Sequence, residues 1–184
     1  MAQNLLSDNR ASLETSVTPL WSIYSTTTAT ITRDTSEHFK GVASMKVVTA
    51  GASRFEGVLQ RFESEPVAAV EGEDITMSGY VKGDGGTINI YVLSLTSGQI
   101  HISSIQTQFV TTSEWTRYEA THTMPATNAY VASMFITVTA QPSQTFYIDG
   151  MQMERASSAT PWRLQSRWGA RNLASKTAIE AAMI

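Results

Sequence analysis

The chain has 184 residues, a formal net charge of −3 and a hydrophobic fraction of 42%. This length suits one domain with its own core, and the small negative charge gives no electrostatic basis for binding nucleic acid or an anionic membrane. The sequence contains no cysteine, which excludes disulfides, thiolate metal sites and thiol catalysis.

The N-terminus lacks a basic segment followed by an apolar one, and no stretch approaches the ~18 apolar residues of a membrane span. We therefore expect no secretory signal and no membrane partner. We expect the protein to be made in the cytoplasm, where it stays unless it leaves as part of a larger assembly.

Short runs of β-prone residues recur along the chain, each bounded by Gly, Pro, Asn or Asp. This spacing predicts an all-β antiparallel sandwich of eight to ten strands. The predicted strands are Thr28–Arg33, Ser44–Thr49, Glu56–Phe62, Asp74–Lys82, Thr87–Leu95, Ile105–Thr111, Trp115–Thr123, Tyr130–Thr139 and Thr145–Glu154. Mid-strand positions predict a buried set of Met77, Val81, Ile90, Val92, Met134, Ile136, Phe146 and Ile148.

The segment Gly83-Asp84-Gly85-Gly86 lies between two of these strands. Its glycines can adopt the positive φ of a tight turn, so we expect a hairpin here. A phosphate-binding loop would need a helix after it, whereas a strand pattern follows.

The β pattern stops near Pro161, which divides the chain into a sandwich domain (1–160) and a C-terminal tail (161–184). The Ala-rich segment Ser175–Ile184 predicts a short helix. Before it, arginine recurs every fourth residue among two tryptophans, and both residue types are frequent interface anchors. The tail either folds back on the sandwich or docks on another chain, and we favour docking. The docking candidates are Trp162, Arg163, Arg167, Trp168, Arg171, Ile179 and Met183.

Sequence motifs of catalysis are missing. The three histidines are isolated, and there is no nucleophile elbow, P-loop or dinucleotide-binding motif. We therefore expect the protein not to be an enzyme. The acidic stretch Glu71–Asp74 is either a solvated turn or a set of calcium ligands. Aromatic residues on or beside the predicted strands either fill the core or form a row that stacks against sugars.

Several segments together resemble the carbohydrate-binding-module-like jelly-roll domains found in virion proteins of tailed bacteriophages. They are Asn4–Leu6, Leu13–Glu14, Gly41–Val47, Val81–Lys82, Glu114–Tyr118, Thr145–Glu154 and Ala159–Trp162. The resemblance implies a jelly roll of two antiparallel sheets whose first and last strands lie close in space, and the short C-terminal helical tail lies outside the resemblance. It also implies a structural calcium near those strands, for which Glu14 and Asp149 are the matching positions, and no other cofactor.

The resemblance and the added tail predict a structural component of a phage virion, either a head decoration protein or a head-fibre or tail accessory protein. Its partners would be other virion proteins and copies of itself in a homo-oligomer assembled through the tail. The alternative function is a glycan-binding module for host adsorption. A depolymerase is a third hypothesis, and the sequence lacks a recognisable pair of catalytic carboxylates for it.

Overall fold

A computed structural model describes residues 4–6, 13–17, 21–24, 29–51, 55–60, 67–127, 129–137 and 142–162. Within these residues the chain forms eleven strands in two antiparallel sheets. The predicted all-β sandwich is thus confirmed. The predicted C-terminal helix lies outside the described residues, and within them no helix is long and apolar enough to cross a bilayer.

The two sheets are named here by their strand order. Sheet A runs β2 (Thr30–Asp34), β3 (Ser44–Val48), β11 (Thr145–Arg155), β6 (Asp74–Gly83) and β9 (Thr116–Thr123). Sheet B runs β1 (Trp21–Ile23), β4 (Gly57–Gln60), β10 (Tyr130–Thr137), β7 (Thr87–Leu95) and β8 (His101–Val110), and the short β5 (Val67–Ala68) also pairs with β10. All nine predicted strands are present, and β1 and β5 are additional.

The core fills the space between the sheets, because alternate residues of each strand point inward. Trp21 of β1 and Phe135 of β10 meet there edge to face, with ring centroids 6.2 Å apart. Near the chain start, Asn4 pairs with Glu154 of β11, so the first described residues join the last strand. All eight residues predicted to be buried are buried.

The structure does not place all the apolar side chains of β10 in the central core. Val131 and Phe135 belong to the central core. Ala132, Met134 and Ile136 point away from it and line a groove on the outer face of sheet B. Their burial is as predicted, but they are buried against their neighbours on this outer face and outside the main core.

The predicted hairpin at Gly83–Gly86 is wrong. The strand before it, β6, pairs with β11 and β9 of sheet A, whereas the strand after it, β7, pairs with β10 and β8 of sheet B. The segment carries the chain from one sheet to the other. Hydrogen bonds from Gly83 N to Thr112 O (2.8 Å) and from Thr111 N to Gly86 O (2.9 Å) tie it to the connection between β8 and β9, which crosses between the same two sheets. Of its glycines, Gly85 has a positive φ of 93°.

Candidate functional site

Residues 156–162, which we call the C-terminal strap, lie across part of the outer face of sheet A, over β6 and β11. Thr76 Oγ1 donates to Ala156 O (2.6 Å), and Glu154 Oε2 accepts from Thr160 N (3.0 Å). The polar residues beneath the strap are buried although they point away from the core, as expected when each has a hydrogen-bond partner. They include Thr76, Ser78, Gln152 and Glu154.

Trp162 ends the described chain and packs on the sandwich of its own chain. Its indole nitrogen lies 3.3 Å from the position that a Cβ on Gly150 would occupy, and Gly150 has a positive φ of 54°. This close approach requires glycine at position 150. The other six docking candidates, Arg163, Arg167, Trp168, Arg171, Ile179 and Met183, lie outside the described residues, so docking through the tail stays a prediction.

Aromatic rings cover the adjoining part of the same face. Phe39 stacks on Tyr80 with ring centroids 3.6 Å apart, and Trp115 is tilted against Phe39 at 6.3 Å. The guanidinium of Arg117 lies 5.8 Å from the centre of the Tyr80 ring and donates to Ser78 Oγ (2.9 Å). These rings therefore pack on one another and on part of the outer face of sheet A.

The structure brings the two predicted calcium ligands, Glu14 and Asp149, to the same loop between β2 and β3. Asp149 Oδ2 accepts the backbone N–H groups of Phe39 (2.8 Å) and Lys40 (2.9 Å), while Glu14 Oε2 accepts that of Val42 (2.9 Å). Burial is the main cause that raises the pKa of Asp149 to about 6 against the effect of its N–H donors, and the charge of Glu14 contributes to this rise.

The donor set around these carboxylates does not by itself suit calcium. Calcium takes roughly six to eight oxygen ligands, whereas each carboxylate here accepts backbone N–H groups. Within the described parts of the chain, no group of three His, Cys, Asp or Glu side chains could hold a metal ion. The observed role of Glu14 and Asp149 is to anchor the loop, and the calcium site stays a prediction.

The acidic stretch Glu71–Asp74 forms a hydrogen-bonded turn before β6. Glu73 Oε2 accepts from Val70 N (3.0 Å), and Glu73 Oε1 pairs with Arg155 at 3.2 Å. Asp74 Oδ1 accepts from the hydroxyl of Thr123 (2.6 Å). Protein donors thus engage both of these carboxylates, as the turn interpretation predicts.

The outer face of sheet B is open, and it carries a groove of about 480 Å³ that crosses β4, β10, β7 and β8. This volume falls within the usual range of small-molecule sites. Its floor is aliphatic, built from alternate residues of the strands. The floor residues are Leu59, Leu93, Leu95, Ala132, Met134 and Ile136.

Three aromatic rings stand around this floor. Tyr91 projects from β7, whereas Tyr24 and Phe55 come from the residues next to β1 and β4. Tyr24 is 42% exposed, so much of its ring is available to a ligand. The amide of Asn89 lies 3.5 Å from the Tyr91 hydroxyl and 3.3 Å from Gln106 Oε1, and these contacts limit where the Tyr91 hydroxyl can lie.

Polar groups line the groove on the β8 side, where Gln99, His101 and Ser104 contribute to the wall. Within the described lining there is no Asp, Glu, Lys or Arg. The charge of His101 also reaches His122 on β9, whose pKa is lowered first by burial and then by His101. The groove therefore combines an apolar floor, partly exposed rings and hydrogen-bonding groups that include no Asp, Glu, Lys or Arg side chain among the described lining.

The sequence indicates Tyr24 and Tyr91 as rings beside strands but does not separate them from the rings of the core. It gives no signal for Phe55, which lies before β4 and not on it. The positive φ of 64° at Phe55, which is uncommon outside glycine, belongs to the folded loop and cannot be read from the sequence. A signal does exist in β10, which carries large apolar side chains on both faces, Phe135 on one and Met134 and Ile136 on the other, and thus predicts cover or a ligand on each side.

No protein-family model matches the chain, and no curated protein is similar to it in sequence. Solved structures are similar in fold. The CBM22-1 xylan-binding domain of Paenibacillus barcinonensis Xyn10C matches with a TM-score of 0.65 and 14% identity, over 86% of this chain and 97% of that domain. TmCBM61 in complex with β-1,4-galactotriose matches with a TM-score of 0.59 and 14% identity, over 84% and 99%.

Longer proteins also contain a similar domain. Tailspike protein 4 of bacteriophage CBA120 matches with a TM-score of 0.63 and 14% identity, over 82% of this chain but 21% of that one. The chain covers 26% of an α-L-arabinofuranosidase and 27% of the CBM22-1 and GH10 modules of a Clostridium thermocellum xylanase. At these identities the likeness shows the fold, which is the jelly roll of carbohydrate-binding modules.

Proposed function

We propose that this protein is a glycan-binding module whose ligand lies in the groove on the outer face of sheet B. The observation that carries the proposal is the contrast between the two outer faces. The strap and an aromatic cluster pack on part of the outer face of sheet A, whereas sheet B presents an open groove with rings and hydrogen-bonding groups. Xylan and a galactotriose are the ligands named for two proteins of similar fold.

The groove chemistry suits a sugar chain. The C–H faces of a pyranose ring pack against aromatic and aliphatic surface, here Tyr24, Phe55 and Tyr91 above an aliphatic floor. Sugar hydroxyls both donate and accept hydrogen bonds, and Gln99, His101 and Ser104 offer both kinds of partner. Because the described lining contains no Asp, Glu, Lys or Arg, the chemistry favours an uncharged glycan.

Binding without cleavage is the better-supported form of this function. Most glycoside hydrolases use two carboxylates on either side of the scissile bond. The described lining of the groove supplies no carboxylate. Elsewhere, the half-buried Glu14 and the buried Asp149 are engaged with the backbone of the β2–β3 loop at sheet A.

Calorimetric titration of the full chain with xylohexaose and β-1,4-galactotriose tests the proposal. Tyr91→Ala should weaken binding by about tenfold or more, equal to at least ~1.4 kcal/mol, because it removes a ring from the groove. Tyr147→Ala is the matched control: Tyr147 is also half-buried but lies on sheet A beside Lys46, and its loss should leave the affinity unchanged.

Two results would overturn the proposal. One is that the full chain binds no neutral oligosaccharide at millimolar concentration. The other is that Tyr91→Ala and Tyr147→Ala bind as tightly as the unaltered chain while all three melt cooperatively, since binding would then be independent of the groove.

A second candidate function, structural component of a phage virion, is favoured by the similar domain within a phage tailspike protein. In this alternative the protein assembles in the host cytoplasm and joins the particle through its tail, as a decoration, fibre or accessory protein. The full chain with Arg167→Ala, Trp168→Ala and Arg171→Ala should then fail to bind particles that lack the protein while it still binds glycan. Unchanged attachment of this variant would contradict docking through the tail.

A further inference from the structure

Phe55 lines the groove from a backbone conformation that its residue type rarely adopts. Its φ of 64° lies in the left-handed region, where the Cβ of any residue other than glycine is crowded. Among the described residues other than glycine, four have a positive φ, and two of these four, Phe55 and Gln99, line the groove. Such a conformation persists only where the surrounding structure holds it, and it is frequent at ligand sites.

The residue after Phe55 is held on three sides. Glu56 N donates to Thr137 Oγ1 (3.1 Å), and Glu56 O accepts from Thr137 N (2.8 Å). The Glu56 side chain reaches a separate segment, where Oε2 accepts from Ala50 N (2.7 Å) and Gly51 N (3.0 Å). Glu56 is 0% exposed, so water does not compete for these bonds. They fix the backbone directly beside Phe55.

Gly57 fastens the same turn to the groove floor. A Cβ on Gly57 would collide with the backbone carbonyl of Phe135, so the start of β4 lies directly against β10. Ile136, the register partner of Gly57, lines the groove. The turn that carries Phe55 is thus attached to the strand that supplies much of the floor.

We infer that Glu56 is a positioning residue of the groove, which together with Thr137 holds Phe55 in its strained conformation and so presents the ring to a bound sugar. This inference rests on the proposed function. A ring that is already in place need not be ordered when the ligand binds, and this raises affinity. The strain lowers the stability of the unbound protein, so stability is lost where binding is gained.

Replacing Phe55 with glycine separates the strain from the ring. Phe55→Gly and Phe55→Ala both remove the ring, and each should weaken binding of xylohexaose or β-1,4-galactotriose about tenfold or more in calorimetric titration. Glycine adopts a positive φ without strain, so Phe55→Gly should melt about 2–4 °C above Phe55→Ala.

Tyr24 is the matched control for the strain. It lines the same groove and has no positive φ. Tyr24→Gly should melt no higher than Tyr24→Ala, because glycine there only adds conformational freedom to the unfolded chain.

Thr137 tests the positioning role, because it affects Phe55 only through Glu56. It belongs to the set of β10 residues that faces the core and does not line the groove. Thr137→Val keeps the shape of the side chain but leaves Glu56 N without its acceptor, and it should weaken binding about threefold or more. Thr137→Ser keeps the hydroxyl and should bind as the unaltered chain does. In a chain that already carries Phe55→Gly, Thr137→Val should have no further effect on affinity.

The outcomes separate this inference from the proposed function. If Phe55→Gly binds as tightly as the unaltered chain while Tyr91→Ala does not, the groove binds the glycan but the inference is overturned. It is also overturned if Phe55→Ala melts as high as Phe55→Gly, or if Thr137→Val weakens binding equally with and without Phe55→Gly. If the unaltered chain binds neither oligosaccharide, the proposed function fails and the inference fails with it.

Discussion

Replacing Phe135 with alanine is expected to lower the free energy of unfolding by about 3–5 kcal/mol. Phe135 is fully buried at the centre of the core, where its ring meets Trp21 edge to face. It also lies against Gly79, since a Cβ added there would come within 3.1 Å of the ring. Truncation leaves a cavity enclosed by both sheets, which water cannot usefully fill. Urea unfolding followed by circular dichroism measures the loss.

The neighbouring residue on the same strand provides the control. Met134 is also buried, but it points into the groove on the outer face of sheet B. Met134→Ala widens an open groove and creates no closed cavity, so its cost should stay below about 2 kcal/mol. Equal losses for the two variants would mean that β10 does not divide the core from the groove as described.

Asp149→Ala is expected to cost about 2–4 kcal/mol, because it leaves three backbone N–H groups near the β2–β3 loop without their acceptor. These donors belong to Phe39, Lys40 and Gly150, and Asp149 is 1% exposed. Thermal melts in chelator and in calcium distinguish the two roles of this carboxylate. If it anchors the loop, the loss is the same in both solutions. If calcium holds the site, the unaltered protein melts higher in calcium, and the variant does not.

Asp34→Ala is the matched control for this prediction. Asp34 also accepts two backbone N–H groups, from Ser36 and Glu37, but these bonds are at the surface. The hydrogen bond from the Ser36 hydroxyl is the main cause that lowers the pKa of Asp34. Since water can replace the lost acceptor, Asp34→Ala should cost less than about 1 kcal/mol. A larger loss here than at Asp149 would contradict the anchoring role of Asp149.

The fold can be predicted from the sequence where a strand is long and its turns are marked. The predicted bounds of β7, Thr87–Leu95, are those that the structure gives it, because glycines precede the strand and apolar residues alternate within it. Strand β1 escapes prediction, because its three residues are too few for a period of two to be recognised. The two-residue β5 escapes it for the same reason.

Partners of strands are harder to predict than strands. The glycines of Gly83–Gly86 indicate a change of direction, but local turn chemistry does not reveal whether the next strand stays in the same sheet. In β10 the more uniformly apolar set is the one that lines the groove, whereas the set that faces the core contains Ser133 and Thr137, so periodicity alone favours the wrong face. The groove could not be predicted, because it depends on which strands are neighbours and on which face of β10 points outward. Strands β4, β7, β8 and β10 become neighbours only through the sheet topology.

Both ends of the described chain lie at β11 of sheet A. Asn4 Oδ1 accepts from Met153 N (3.1 Å), and Trp162 packs on Gly150. The groove opens on the other sheet, roughly one sandwich thickness away. A tether joined to either end would therefore attach the domain at sheet A. The groove on sheet B would then face away from the tether. The point of attachment could then change without any change to the strands that line the groove.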